Sequence, residues 1–228
     1  LQWLESAKYP FVFKLSCGAG SSNVKLVKNK KDGYSIAKRM FKGGMDRYPR
    51  DYYFKESLIN LKLNNLKTIL TLSRSVGRLF LRNKQLKNLG KEYNYFYAQE
   101  YIPNNHFDHR IIIIGDKAIC LQRGVRNSDF RASGSNMLDG RSHLFPPLSI
   151  KLAFKASDLL QMQCAAFDII YTKNKEPLIV EVSYCFSSDA YFKHCKGFYD
   201  RNLNWNDSEI ILEDIILEDF LSSIPNHS

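Results

Sequence analysis

The feature that most constrains this chain is a pair of carboxylates, Asp168 and Glu181, set within two short apolar runs. The runs 165–170 and 178–182 flank a polar stretch at 172–177, a pattern typical of a β-hairpin. We therefore expect the two carboxylates on neighbouring strands, close enough to share one cation. A carboxylate in an apolar strand is costly unless it is neutralised, and Mg²⁺ takes oxygen ligands, commonly between protein carboxylates and substrate phosphates. The hairpin therefore predicts a site for a metal and a nucleotide.

Composition narrows the class of protein. The length of 228 residues favours one or two domains. The formal net charge of +10 favours an anionic partner: a nucleotide, a polyanionic glycan, a nucleic acid or an anionic membrane surface. The five cysteines form no C-x-x-C pair, which argues against a disulfide framework and fits a reducing cytoplasm. No apolar run reaches the roughly 18 residues of a membrane span. The chain opens in what reads as the middle of a helix, so we expect an N-terminal domain to be missing.

A strand, a loop of small residues and a second strand come first. The strands are expected at 9–15 and 24–27, and Lys14 stands near the end of the first. The loop between them contains Gly18, Gly20, Ser21 and Ser22. Small side chains leave backbone N–H groups free to approach phosphates, although an ordinary hairpin turn fits the loop equally well. A helix is expected over 33–41, with Asp32 as its cap.

Residues 47–90 differ from the rest of the chain in charge. They carry ten lysines and arginines against two acids, and their leucine spacing predicts amphipathic basic helices. The segment could lie on anionic lipid or follow a phosphate backbone, but we favour a solvated helical face, and nucleic acid is disfavoured. The strand expected at 95–102 ends in Gln99, Glu100, Tyr101 and Ile102. This end is either an ordinary strand end or a hinge whose backbone binds an adenine edge.

Four arginines follow within a short span: Arg110, Arg123, Arg126 and Arg131. Two of them neighbour the aspartates Asp108 and Asp129 in the sequence. Surface ion pairs would contribute little to stability, whereas arginine is suited to bidentate recognition of phosphate and carboxylate. The other elements that we expect are a hairpin of 109–114 with 117–121 about Gly115-Asp116, and helices over 149–163 and about 207–221.

These features in this order resemble the ATP-grasp superfamily. The ordered set consists of Lys14 with the small-residue loop, Gln99–Ile102, Asp108 with Arg110, Arg123, Asp129-Phe130-Arg131, and Asp168 with Glu181-Val182-Ser183. The resemblance covers nearly the whole chain and looks closest to the branch that holds ribosomal-protein glutamate ligase and glutathione synthetase. Residues 129–135, 181–184 and 197–205 look similar to ATP-grasp proteins of surface-polysaccharide biosynthesis.

The resemblance implies an α+β fold in which two α+β lobes grip a nucleotide. Residues 1–101 would form the small lobe, with a basic helical insertion at about 47–90, and residues 102–228 the large lobe, with the metal site and a C-terminal helix. The implied activity joins a carboxylate to an amine or thiol through an acylphosphate, with ATP and Mg²⁺ and with Mn²⁺ as an alternative metal. A surface polysaccharide would supply an anionic glycan as a partner.

The resemblance also implies a role for each matching residue. The ATP-binding set is Lys14, Gly18, Gly20, Ser21, Ser22, Gln99, Glu100, Tyr101, Ile102 and Asp108. The catalytic set, which would stabilise the charge of the migrating phosphoryl group, is Arg123 with Arg110 and Arg131. The metal ligands are Asp168, Glu181 and Ser183.

One departure from the family pattern concerns the metal. Ser183 stands where an asparagine is usual, and a hydroxyl is a poorer oxygen donor than an amide carbonyl. Two alternatives to a ligase stay open. Ser183 favours a relative that binds nucleotide without ligase activity, and the net charge of +10 favours a non-enzymatic module that binds an anionic membrane surface or nucleic acid. The expected location is the cytoplasm, with a peripheral position at the inner membrane surface as a second option.

Overall fold

The computed structural model describes residues 2–16, 23–47, 90–125, 130–132 and 137–224. The predicted ATP-binding residues of the small-residue loop, Gly18, Gly20, Ser21 and Ser22, lie outside the described residues, as do the run 126–129 and nearly all of the basic segment. The chain divides into two compact units, Leu1–Tyr101 and Ile102–Ser228. None of the described helices is both long and apolar enough to cross a membrane.

The first unit is built on a small antiparallel sheet with the strand order β2-β1-β5. Its strands are β1 (Phe11–Phe13), β2 (Lys25–Val27) and β5 (Ala98–Glu100). The predicted hairpin of the first two strands is confirmed, because Phe11 pairs with Val27 and Phe13 with Lys25. The short strands β3 (Met45–Asp46) and β4 (Lys91–Glu92) form a separate ribbon. The predicted strand over 95–102 is shortened to β5.

Among the described residues of the first unit, two helices contribute to its core, α1 (Trp3–Ser6) and α2 (Lys30–Lys42). The cap of α2 is Asn29, whose side-chain oxygen accepts a hydrogen bond from the backbone N–H of Asp32 at 3.0 Å. The prediction of Asp32 as the cap is therefore wrong. Asp32 lies in the first turn of α2, where the interaction of its negative charge with the positive end of the helix dipole stabilises the helix. Ala37 and Met40 of α2 are fully buried together with Phe13.

Among the described residues, the second unit contains one antiparallel sheet of seven strands. Six of them follow the order β10-β9-β6-β7-β11-β12, and β8 pairs with β7. Its strands are β6 (Phe107–Ile114), β7 (Lys117–Gly124), β8 (Leu138–Asp139), β9 (Cys164–Tyr171), β10 (Pro177–Ser183), β11 (Gly197–Tyr199) and β12 (Trp205–Asp207). Both predicted hairpins of this unit are confirmed. The turn at Gly115 has a positive φ of 52°, a conformation that glycine adopts without steric cost.

Helices cover both faces of this sheet, which explains why β6 carries four consecutive isoleucines. Helix α3 (Pro147–Leu160) packs on the face that holds Ile111 and Ile113, while α4 (Asp189–His194) and α5 (Leu212–Ser223) pack on the face that holds Ile112 and Ile114. A strand buried on both faces has no polar side to present. The last helix begins later than predicted because residues 205–207 form β12.

Candidate functional site

The strand pairing places four charged side chains on one face of the central sheet. On β6, Asp108 and Arg110 are two residues apart and therefore point to the same side. Across the sheet, Asp108 pairs in register with Arg123 of β7, and Arg110 pairs with Asp168 of β9. We call these four residues the arginine–aspartate cluster.

Hydrogen bonds join the members of the arginine–aspartate cluster into one network. Arg110 donates from Nε to Asp168 Oδ1 at 2.6 Å and from Nη2 to Oδ2 at 2.7 Å. Arg123 donates from Nε and Nη2 to the two carboxylate oxygens of Asp108 at 2.7 and 2.6 Å. The Nη2 group of Arg123 also donates to Asp168 Oδ2 at 2.7 Å. Arg123 therefore bridges both aspartates, with the fork geometry that arginine offers to carboxylates.

Three members of the cluster are buried, Arg110 is half-buried, and the cluster is electrically neutral. Asp168 is 5%, Arg123 7% and Asp108 9% exposed, and two arginines balance two aspartates. Burial alone would raise the pKa of Asp168, but the hydrogen bond from Arg110 and the charge of Arg123 hold it below the ordinary value. Burial raises the pKa of Asp108, which has Arg123 as its single hydrogen-bonding arginine in the cluster. Removing one member would leave a buried charge unpaired, at a cost of about 3–5 kcal/mol.

The two other predicted metal ligands lie beside the cluster on β10. Glu181 pairs in register with Asp168, after a bulge between Ile179 and Glu181, and Glu181 is exposed. Ser183 Oγ donates to Glu181 Oε1 at 3.3 Å. Asp168, Glu181 and Ser183 therefore share the sheet face that carries the arginines.

The carboxylate and hydroxyl oxygens of Asp168, Glu181 and Ser183 are of the type that binds a hard divalent cation such as Mg²⁺. Asp168 Oδ1 accepts a single bond, from Arg110, so that oxygen retains a lone pair, and the Glu181 carboxylate faces solvent. In the part of the chain that the structure describes, no three His, Cys, Asp or Glu side chains converge on one point. A Mg²⁺ ion usually needs only one or two protein carboxylates, because phosphate and water supply the rest.

The remaining predicted residues fall in several places. In the first unit, Lys14 Nζ lies 5.2 Å from the centre of the Tyr97 ring. Gln99 and Glu100 belong to β5, opposite Val12 and Phe11 of β1, and half-buried Tyr101 and Ile102 follow. Arg131 is half-buried in the short described stretch 130–132.

The sequence did not indicate two polar groups of the second unit. One is the buried chain of hydrogen bonds from Gln122 through His109 and Tyr171 to Ser149, on the sheet face opposite the cluster. The other is Tyr191 of α4, whose ring belongs to the core cluster on the face of the arginines. Nothing in the local sequence signals either group, because each depends on contacts between elements far apart in the chain.

All of the strands that carry the arginine–aspartate cluster lie in a stretch that matches a known family. Residues 75–195 match the model of the RimK-like ATP-grasp domain, which is more than half of the 228 residues. The chain belongs to the RimK-like ATP-grasp family. The predicted superfamily, its branch and the mixed α and β fold are thereby confirmed.

Several solved structures are similar to the chain over part of their length. A biotin carboxylase from Campylobacter jejuni, solved as a β-γ-ATP complex, is 14% identical with a TM-score of 0.48, over 81% of this chain and 33% of that one. D-cycloserine synthetase DcsG is 13% identical with a TM-score of 0.44, over 80% and 50%. The biotin carboxylase domain of Hydrogenobacter thermophilus 2-oxoglutarate carboxylase, solved with MgADP, ADP and bicarbonate, is 14% identical with a TM-score of 0.45, over 82% and 33%.

The chain thus spans a third to a half of the length of these structures. No curated protein matches it.

Proposed function

We propose that the chain is the nucleotide-binding part of an ATP-dependent ligase that joins a carboxylate to an amine or thiol through an acylphosphate. The observation that carries the proposal is the arginine–aspartate cluster, which lies within the RimK-like stretch and holds two arginines in fixed positions. We assign residues 1–101 to the small lobe and residues 102–228 to the large lobe of the ATP-grasp fold.

In this proposal the chain positions the phosphoryl group and stabilises the charge that develops during its transfer. Transfer of a phosphoryl group to a carboxylate develops charge on oxygen atoms, and fixed N–H donors in a partly dry site stabilise that charge. Arg110 and Arg123 are held by Asp168 and Asp108, so their guanidinium groups need little rearrangement when phosphate arrives. Arg131, in the same unit as the cluster, would contribute a further contact to the nucleotide. A Mg²⁺ ion, held by Asp168, Glu181 and Ser183, would supply further neutralisation of phosphate charge.

The test is nucleotide binding by thermal unfolding with AMP-PNP and Mg²⁺, since a ligand that binds only the folded state raises the melting temperature. Arg110→Gln should weaken AMP-PNP binding at least about tenfold, the value expected for losing a hydrogen bond to a charged group. Arg110→Lys, which keeps the charge, separates loss of binding from loss of folding.

The matched control is Arg141→Gln. Arg141 also pairs with an aspartate, Asp139 at 2.6 Å, but its side chain is 69% exposed and lies outside the cluster. This variant should bind AMP-PNP like the parent. Equal affinities of Arg110→Gln and Arg141→Gln would contradict the assignment of the cluster to the nucleotide.

A second candidate is a relative that binds nucleotide without ligation. It is favoured by Ser183, a neutral hydroxyl at a metal-ligand position, and by Asp168, whose oxygens already accept three N–H bonds. ADP release with pairs of carboxylates and amines distinguishes the two candidates. We propose glycan acids and amino acids as the first substrates to try, because the net charge of +10 favours anionic substrates. ADP release with peptides but never with glycan acids would exclude a role in surface-polysaccharide synthesis.

A further inference from the structure

Tyr191 carries a buried hydroxyl with nothing to bond to. The residue is 2% exposed, and its Oη is the single buried side-chain nitrogen or oxygen without a hydrogen-bond partner in the described part of the chain. A buried hydroxyl left unpaired costs free energy, and phenylalanine would fill the same space without that cost. The hydroxyl is therefore a feature that packing alone does not explain.

Backbone hydrogen bonds and ring packing hold Tyr191 in place. The Tyr191 N–H donates to the Ser188 carbonyl at 2.9 Å, and the Tyr191 carbonyl accepts from the Cys195 N–H at 2.8 Å. The ring packs edge to face against Phe186, with centroids 6.4 Å apart, and belongs to the same core cluster as Ile112 and Leu121. Those two residues lie on the strands that carry Arg110 and Arg123, on the same sheet face.

Three members of the arginine–aspartate cluster, Arg110, Arg123 and Asp168, are electrostatic neighbours of the Tyr191 hydroxyl, together with Cys195. Burial raises the pKa of Tyr191, while the charges of Arg110 and Arg123 act in the opposite direction and that of Asp168 adds to the effect of burial. The phenol therefore keeps its proton at neutral pH and is available as a hydrogen-bond donor.

The two arginines of the cluster keep N–H donors that the aspartates do not use. Asp168 accepts three N–H bonds and Asp108 accepts two, all from Arg110 and Arg123. Within the described residues, the Nη1 groups of both arginines have no acceptor, and neither belongs to the enclosed unpaired atoms. Two guanidinium groups and one phenol thus present unused N–H and O–H donors next to carboxylates that already accept five N–H bonds from the two arginines. A group that offers only acceptors completes such a set, and phosphoryl oxygens have that chemistry.

We propose that Tyr191 is a binding residue of the candidate site, whose hydroxyl donates a hydrogen bond to a phosphoryl oxygen held by Arg110 and Arg123. This inference rests on the proposed function and adds a residue from α4 to a site otherwise built on strands. The hydroxyl is enclosed in the ligand-free protein, so the contact belongs to the ligand-bound state.

The experiment compares Tyr191→Phe with the parent in ligand-free stability and in binding of AMP-PNP and of inorganic tripolyphosphate. Removing an unpaired buried hydroxyl should leave the melting temperature of the free protein unchanged or raise it. The same substitution should weaken binding of both probes by about tenfold, as expected for one hydrogen bond to a charged group. A purely structural tyrosine would not combine unimpaired free stability with weaker binding.

Tyr199→Phe is the matched control, because the Tyr199 hydroxyl has a partner, the Ser142 carbonyl at 2.6 Å. It should lower the melting temperature and leave both affinities unchanged. Unchanged affinities in Tyr191→Phe, or a melting temperature lowered as in Tyr199→Phe, would overturn the proposal. Binding of tripolyphosphate but not AMP-PNP by the parent would defeat the nucleotide function alone, and the tripolyphosphate affinities would still decide the role of Tyr191. A parent that binds neither probe would overturn both proposals.

Discussion

His109 makes the stability of the second unit dependent on pH. The residue is 1% exposed, stacked on Phe107 with ring centroids 5.0 Å apart and in edge contact with Phe145. Its Nδ1 lies 2.6 Å from the Tyr171 hydroxyl and its Nε2 lies 3.1 Å from Gln122 Oε1. Since Gln122 Oε1 can only accept, we assign the imidazole proton to Nε2, and Nδ1 then accepts from Tyr171. This arrangement is complete with a neutral ring, and a second proton on Nδ1 would require the Tyr171 hydroxyl to turn and donate to Ser149 instead.

The expected magnitude follows from the pKa of this ring. Burial lowers the pKa of His109 from 6.5 to about 4. Between these values the unfolded chain binds more protons than the folded chain, so the stabilisation is complete above pH 6.5 and is lost as the pH falls towards 4. Linkage with these two values predicts that folding loses about 2 kcal/mol between pH 7 and pH 5.

The assay uses the two tryptophans of the chain, Trp3 in the first unit and Trp205 in the second. In a Trp3→Phe background, the fluorescence of Trp205 reports urea unfolding of the second unit. We compare His109 with His109→Gln, which cannot take up a proton, and measure the free energy of unfolding at pH 7 and pH 5. Carboxylates that titrate in both proteins cancel in the comparison. If the loss between pH 7 and pH 5 is the same in both proteins, the ring does not carry the pH dependence and the reasoning fails.

Two further substitutions test the packing of each unit. Gly197→Ala should destabilise the second unit by at least about 2 kcal/mol, because the new Cβ would lie 2.2 Å from the Asn206 carbonyl oxygen and 2.6 Å from the Trp205 ring; a Trp205 unfolding curve like that of the parent would contradict this expectation. Phe13→Ala should cost about 3–5 kcal/mol in the first unit, since Phe13 is fully buried and the change leaves a cavity. Trp3 fluorescence should report that loss, and no change in the Trp3 transition would contradict the placement of Phe13 in that core.

Much of the architecture could be predicted because its signals are local. Alternating and continuous apolar runs with polar turns indicate the hairpins at Gly115 and at 172–177, and their strands pair as expected. The ordered motifs also indicate the ATP-grasp superfamily, which the family match confirms. Element ends were less predictable. Helix α2 starts earlier than expected because the side chain of Asn29, and not that of Asp32, caps it. The last helix starts later than expected because residues 205–207 pair with β11.

The sequence by itself determined the family, the hairpins and the presence of arginines and carboxylates of suitable chemistry, because short-range patterns encode strands and turns directly. Only the tertiary structure decided which charges meet. By sequence Asp108 neighbours Arg110, yet in the folded chain Asp108 binds Arg123 and Arg110 binds Asp168. Those partners, and the enclosure of the Tyr191 hydroxyl, depend on the register of three strands and on the packing of α4 over them. Such contacts join residues tens of positions apart, and no local pattern specifies them.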